Sequence, residues 1–498
     1  MKAAAALAVG VLLTVLAYPP AGVWPLAFLM LAPLAALVDR TRPRRAFVYT
    51  WLYSASMAAL VVRWLWHALV VEYEVPQAPA ALFIALLVGA CAVIPSFAVA
   101  LYASAGRGVG AGFAPLLFGA LYVLAEWVRA EPLGLPWVLS GQALVAAPLW
   151  IQTAEWGGVH APGLVAAVAG GGLGIALSRR DARALVAPAA LLVLAGAFGA
   201  QRLSVPRDEG PPVRVGVVQS SVPQGEKSRG DSALRNLERH ASSTWQLASR
   251  GDLDLIVWSE TAVEADLDET PGLAAALRAI AAGSDALLLT GAPRSRAGRR
   301  TNAAVSFDAR GLRTSYDRQR LVPFSEFEAE RFGFVAPLLG PVTAGEPYAR
   351  GELATVFDGL AVPFATPISF EITDPELVRE FRTAGAELLV NLSNDARFGR
   401  TGYAEMHLGH AVLRAVELRT WVVRGANTGI SAVIDPAGRV RERLGVFELG
   451  TLESIVFGAG PATLYVRHGN GPILGVLVGI VAIGLGRAVL GRPTGLRV

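Results

Sequence analysis

The sequence predicts a two-part protein: a membrane bundle of about eight α-helical spans joined to a layered α/β domain. Three observations predict it. The 498 residues are 53% hydrophobic and only 17% charged, too apolar for an ordinary soluble protein. Long apolar runs fill the chain up to residue 200 and recur near its end. Between them lies a polar segment in which short apolar runs alternate with amphipathic helical patterns, the signature of stacked α and β layers.

The apolar runs fall near 3–19, 23–38, 48–70, 80–103, 112–128, 161–178, 184–200 and 471–488. Several approach the ~20 residues needed to cross a bilayer. The first has no clear cleavage site, and a second run follows at once, so a retained helix is expected rather than a cleaved signal. Arginines set the expected orientation. "DRTRPRR" (39–45), Arg107, "SRRDAR" (178–183) and the tail Arg492 and Arg497 fall between alternate runs. Placing all of them in the cytoplasm satisfies every crossing. The expectation is then a membrane domain over 1–204, an outward-facing domain over 205–468, and a final span with cytoplasmic tail over 469–498. Arg63 and Glu126 lie near expected outer span ends, where contact with headgroups or the outer domain is expected.

In the polar segment, "VRVGVVQ" (213–219), "LDLIVWSE" (253–260), "ALLLTGA" (286–292), "AELLVNLSND" (386–395) and "TGISAVID" (428–435) read as buried strands. Their polar ends place functional side chains at strand termini. "SALRNLERHASSTWQLASR" (232–250) and "HLGHAVLRAVELRTW" (407–421) read as helices.

The bulk numbers also exclude. A net charge of +4, with lysine only at Lys2 and Lys227, gives no nucleic-acid footprint. Cys91 is the single cysteine, so no disulfide within the chain and no cysteine-based metal site can form. No metal and no cofactor are expected.

Chemistry-bearing residues gather at strand ends. "VWSETAVE" carries Glu260, and "YDRQRLVPFSEFE" carries Arg318 and Glu326. "FATPISFEITDPEL" carries Ser369, Phe370 and Glu371; "NLSNDARFG" carries Asn391, Asn394, Asp395 and Arg397. Taken singly, an acid at a strand end is more often a cap or a surface group than a catalyst.

In this order, and after this membrane region, the motifs resemble those of the apolipoprotein N-acyltransferases, membrane enzymes of the nitrilase (carbon-nitrogen hydrolase) superfamily. "YPPAGVWPLAFLMLAPLAAL" (18–37) resembles the family's first helical pair, and "GLPWVLSGQ" (134–142) its outer-face loop. "VWSETA", "RLVPFSE", "MHLGHAVLRAVELR" and "RGANTGISAVIDPAG" are similar to its catalytic domain. The resemblance implies an αββα nitrilase-like domain facing the periplasm, on about eight helices in the inner membrane. It implies transfer of an acyl chain from a phospholipid to the amino-terminal cysteine of a lipoprotein. The implied partners are the phospholipid donor, the lipoprotein N-terminus and the membrane.

The family's triad is glutamate, lysine and cysteine. By resemblance these positions are Glu260, Arg318 and Ser369, with Glu326 and Glu371 in support. Phe370 stands where a tyrosine is usual, and Arg397 where the family has a tryptophan. A thiol near pKa 8.5 suits a glutamate base, whereas a hydroxyl is far harder to deprotonate. Serine nucleophiles normally lean on a histidine or a neutral lysine. His407 and His410 fall on a helical segment whose plain reading is packing or substrate contact. Arg318 keeps the charge that stabilises an oxyanion, though not the compact ammonium. Three readings stay open. The chain is an acyltransferase working through Ser369, a non-catalytic relative that binds lipid or lipoprotein, or, from another class, a transporter with an outer domain.

Overall fold

The computed structural model describes residues 2–205, 210–227, 232–296, 298–322, 326 and 347–490. The tail arginines Arg492 and Arg497, and most of the "PFSEFE" stretch, lie outside the described residues. By internal packing the chain divides into two units. One comprises Met1–Arg63, Leu82–Val205 and Thr463–Val498; the other comprises Trp64–Ala81 and Pro206–Ala462. Sequence patterning assigned 1–204, 205–468 and 469–498 to successive domains, so Trp64–Ala81, Val205 and Thr463–His468 are grouped differently.

The first unit is helical. Gln77–Ala105, His160–Arg179, Ala182–Ser204 and Gly471–Leu490 are long and apolar enough to cross a membrane. A further apolar stretch, Pro43–Val61 followed by Trp64–Glu72, is broken between its halves, and the second half belongs to the other unit. Lys2–Ala17 and Trp24–Val38 are apolar but shorter. Four helices, or five with the broken one, therefore meet the length and composition of a span among the described residues. The expectation of about eight is not reached on those criteria. The run expected at 48–70 is not one helix, and the run at 23–38 divides into a 3-10 turn, Trp24–Phe28, and a short helix, Ala32–Val38.

Small residues let the helices of this unit approach closely, as apolar surroundings require. His160–Arg179 is the central helix. A Cβ on Gly171 would meet the Phe118 ring, and one on Gly174 would meet the Ala32 carbonyl and the Ala36 nitrogen. At the end of this helix, Arg179 grips the buried Asp39 through Nε (3.0 Å to Oδ2) and Nη2 (2.7 Å to Oδ1). Tyr102 donates to the same carboxylate at 2.6 Å. Glu126 corrects an expectation: it is 6% exposed and accepts from the Ser140 amide at 2.9 Å and hydroxyl at 2.7 Å. It anchors the 134–142 loop rather than facing headgroups.

The second unit holds two six-stranded mixed sheets. The first contains β1 (Val213–Gln219), β2 (Leu255–Val257), β3 (Leu287–Arg296), β4 (Arg299–Asp308), β5 (Gly311–Asp317) and β12 (Gly450–Val456), in the order β12-β1-β2-β3-β4-β5. The second contains β6 (Val356–Phe357), β7 (Phe364–Ala365), β8 (Leu388–Ser393), β9 (Trp421–Ala426), β10 (Ala432–Ile434) and β11 (Val440–Arg443), in the order β11-β10-β9-β8-β7-β6. Each has a parallel centre, β1-β2-β3 and β7-β8-β9, with antiparallel margins. The parallel strands are mostly apolar because both faces are covered. Ser431 on the second sheet's side donates to Gln219 of β1 at 2.6 Å, and Gly425 of β9 lies against Val257 and Trp258. The sheets thus pack face to face. Helix Pro271–Ser284 closes the outer face of the first through Leu277, Ile280 and Ala281. Helices Pro375–Thr383 and Tyr403–Leu418 belong to the second. The expected helix at 407–421 begins four residues earlier and stops at Leu418, because Arg419 takes a left-handed conformation and Trp421 starts β9.

Candidate active site

Two strand ends and one tight turn build the site. β2 ends at Val257, and the chain runs on to Glu260, which is 6% exposed. β5 ends at Asp317, and Arg318 follows at 2%. β7 is only two residues long, and the chain then bridges from Ile368 to Leu392 of β8 before it turns. Ser369 opens that turn with φ of +50°. Such a backbone costs a non-glycine residue about 1–3 kcal/mol and persists only where its surroundings fix it.

Those surroundings are specific. Glu371 Oε2 accepts the Ile368 amide at 2.7 Å, while its Oε1 accepts the Tyr316 hydroxyl at 2.8 Å and the Gln319 and Arg320 amides at 2.7 and 3.0 Å. One buried carboxyl therefore ties the Ser369 turn to the end of β5. Asn391 of β8 donates to the Pro367 carbonyl at 2.8 Å.

The three residues singled out from sequence converge. Arg318 Nη1 donates to Glu260 Oε1 at 3.0 Å and to Glu326 Oε1 at 2.7 Å. Asn302 of β4 donates to the same Glu260 oxygen at 2.9 Å, and Ser369 lies near enough to lower the pKa of this carboxyl. Glu326 is itself held by the Val322 amide at 2.7 Å. Burial raises the Glu260 pKa above its ordinary value, and Glu326 adds to the rise against the pull of Arg318, Asn302 and Ser369. The chief physical reason is burial: the charged form loses its water, and the Arg318 guanidinium, shared with Glu326, only partly offsets that loss. Burial likewise raises Glu371. For Arg318 burial works downward, but Glu326, Glu260 and Glu371 outweigh it and the guanidinium is held more firmly charged. Its Nη2 is buried and has no hydrogen-bond partner among the described residues.

The other sequence-derived residues take supporting places. Phe370 is half-buried, and its carbonyl accepts the Thr373 hydroxyl at 2.7 Å. Asn394 accepts from the Ala396 amide and from Asn427, which fixes the turn after β8 rather than the Glu260–Ser369 contact. The Arg397 guanidinium lies 4.7 Å from the centre of the Tyr73 ring.

Two family models divide the chain between them. The apolipoprotein N-acyltransferase N-terminal domain matches residues 10–172, and the carbon-nitrogen hydrolase model matches residues 214–455. The chain is 32% identical to the apolipoprotein N-acyltransferase of Azotobacter vinelandii, over 98% of this chain and 94% of the relative. It is 31% identical to that of Ralstonia nicotianae, over 95% and 91%, and 30% identical to that of Nitrosomonas europaea, over 96% of each.

The chain belongs to the apolipoprotein N-acyltransferase family.

Among solved structures, the chain is similar to Nit3 of Saccharomyces cerevisiae, a nitrilase-superfamily member, at 17% identity over 51% of this chain and 93% of that one, with a TM-score of 0.39. An amidase from Nesterenkonia sp. is similar at 18% identity over 53% and 95%, also with a TM-score of 0.39. For an apolipoprotein N-acyltransferase family site, several working parts escaped the sequence reading. Asn302 and Tyr316 sit inside β4 and β5, with nothing in their local pattern to mark them. Arg424 had a signal: it is the one charge in the strand "WVVRGA" and is fully buried. A charge in a buried strand needs dedicated partners, and Arg424 has Asn391, Ser393, Asp395, His407 and the Ile430 carbonyl.

Proposed function

We propose that this chain is a multi-pass inner-membrane acyltransferase of lipoprotein maturation, with its second unit in the periplasm and Ser369 as nucleophile. The observation that carries the reading is the shared carboxyl: Arg318 Nη1 binds Glu260 Oε1 at 3.0 Å and Asn302 binds the same oxygen at 2.9 Å, with Ser369 near enough to lower the Glu260 pKa. The phospholipid acyl ester meets Ser369 Oγ, and the hydroxyl proton passes to Glu260 as the Oγ–C bond forms. Arg318 Nη2 supplies an N–H to the developing oxyanion. The ester C–O bond then breaks, the lysophospholipid oxygen takes the proton from Glu260, and the acyl chain is left as an oxyester on Ser369. The α-amino nitrogen of the lipoprotein's first cysteine attacks that ester, an amide forms, and Ser369 recovers its proton.

Serine sets the pace of this scheme. A hydroxyl resembles water, with pKa about 15.7, against about 8.5 for a thiol. Prior ionisation is harder by about 10 kcal/mol, so proton loss must accompany attack, and turnover is slow. Two arms test this on the purified full chain in vesicles of phospholipid with labelled acyl chains. Mass spectrometry of the peptide holding Ser369 is expected to find an oxyester in the native chain and none in Ser369→Ala. Ser369→Cys is expected to acylate about tenfold faster or more, since the thiolate is the better nucleophile, and adding Arg318→Lys should not reduce it. The serine also favours a second reading, a relative that binds lipid or lipoprotein without turnover. Absence of label from the native chain and from both cysteine variants, all folded and inserted, would leave that reading standing and sink acyl transfer.

A further inference from the structure

Three backbone polar atoms around the proposed nucleophile, two of them on the 367–368 peptide, are each held by a side chain. The Ile368 amide goes to Glu371 and the Pro367 carbonyl to Asn391. The third is the Ser369 carbonyl itself, which lies 3.1 Å from His407 Nε2. We infer that His407 is a positioning residue: its Nε2–H holds the Ser369 carbonyl and so maintains the strained turn from which the Ser369 hydroxyl reaches Glu260. This rests on the acyl-transfer reading only for the assignment of Ser369 as the reacting group.

The partners of the ring fix the donor. Arg424 Nη2, which can only donate, lies 3.0 Å from His407 Nδ1, and Asp395 Oδ1 lies 3.1 Å from it. In a neutral ring Nδ1 takes the arginine proton, so the ring's own proton sits on Nε2 and faces the serine carbonyl. In a protonated ring Nδ1–H turns to Asp395, and Nε2–H still faces that carbonyl. The contact therefore survives titration. Burial and Arg424 hold the imidazole below its ordinary pKa, which favours the neutral form. The support behind the ring is dense. Asp395 also accepts the Ser393 hydroxyl at 2.8 Å and Arg424 Nη2 at 2.9 Å. Tyr403 lies 5.1 Å away, ring to ring, with Phe398 stacked on Tyr403 and Trp64 edge-on to both.

The geometry has a chemical consequence. In a trans peptide the C=O and the following N–H point in opposite directions. Holding the Ser369 carbonyl on His407 turns the Phe370 amide the other way, away from the imidazole. Loss of the contact frees the peptide plane to rotate and lets the +50° turn relax, and the hydroxyl leaves Glu260.

The test uses the full chain with Cys91→Ser and Ser369→Cys, so that one thiol remains. Alkylation of that introduced thiol by neutral iodoacetamide reads its alignment with Glu260 and requires no acyl transfer. His407→Leu is expected to slow alkylation by about tenfold or more, the change that ~1.4 kcal/mol of lost alignment gives. His407→Gln, whose Nε2–H can reach the same carbonyl, is expected to restore most of the rate. In acyl transfer the leucine variant should lose kcat with KM for phospholipid within about twofold. Equal alkylation by the leucine variant and its parent, or equal loss in leucine and glutamine variants, overturns the inference. Should His407→Leu not fold, His407→Asn takes its place, with its N–H about one bond short. If no variant transfers acyl groups, the alkylation series still decides on His407, and only the acyl-transfer reading fails.

Discussion

At the scale of the residue, Glu260 is the group whose titration should be visible. It must be ionised to take the serine proton, so activity should rise with pH through its pKa. Burial and Glu326 place that pKa above the ordinary glutamate value, so the acid limb is expected above the usual carboxylate range. Asn302 pulls the other way, since its N–H stabilises the charged form. Asn302→Leu removes that donor, and the limb should move to higher pH, with activity lost in the window between the two limbs and recovered above it. Stability runs the opposite way: a carboxyl with a raised folded pKa contributes less stability as pH rises through that range. A pH–rate profile of native and variant chains checks it, and an unmoved limb would mean that another group sets it. Glu260, Arg318, Glu326, Ser369 and Glu371 were legible because each stands in a quoted motif at the end of an apolar run. Asn302 was not, because its contact is made by the register of β4 against β3, where Asn302 opposes Pro293. Nothing in "TNAAVSF" encodes that register locally.

At the scale of the element, hydropathy located the apolar helices but not their breaks. The expected run at 48–70 carries no proline or glycine to signal an interruption, yet its helix stops at Val61 and resumes at Trp64. Packing decides there, and Trp64 lies against Phe398 and Tyr403. Packing likewise separates glycines that look alike in sequence. A Cβ on Gly174 would strike the backbone of Ala32 and Ala36, whereas one on Gly479 would meet nothing within 4 Å. Gly174→Ala should therefore destabilise the helical unit by about 1–3 kcal/mol through overpacking. Gly479→Ala, in the middle of Gly471–Leu490, should be neutral or stabilise by up to about 1 kcal/mol, since glycine is the poorer helix former. Thermal unfolding of the purified chain in detergent separates them, and equal shifts would refute the packing argument.

At the scale of the whole molecule, the open quantity is the number of crossings, and charge can decide it where helix length does not. Suppose only the four long apolar helices cross, starting from a cytoplasmic N-terminus. The 205–468 segment is then outside and the tail inside, as with eight crossings. The two schemes part at the turn after Ala105. Four crossings put Arg107 outside, while eight put it inside with 39–45 and 178–183. Five crossings, with the broken Pro43–Val61 and Trp64–Glu72 counted as one, put 178–183 outside and 205–468 inside. Of the four-, five- and eight-crossing arrangements, only the last gathers every basic turn on one side. It does so by using Lys2–Ala17, Trp24–Val38 and Ala114–Ala130, which are shorter than a full span. Short helices cross by local thinning of the bilayer at a modest cost, whereas carrying arginine-rich turns outward opposes the charge rule. We therefore expect alkaline phosphatase fused after Gly110 to be inactive, and fused after Gly210 to be active. Activity at both positions would leave four crossings. Inactivity at both would place the second unit in the cytoplasm, away from the lipoprotein substrates proposed for it.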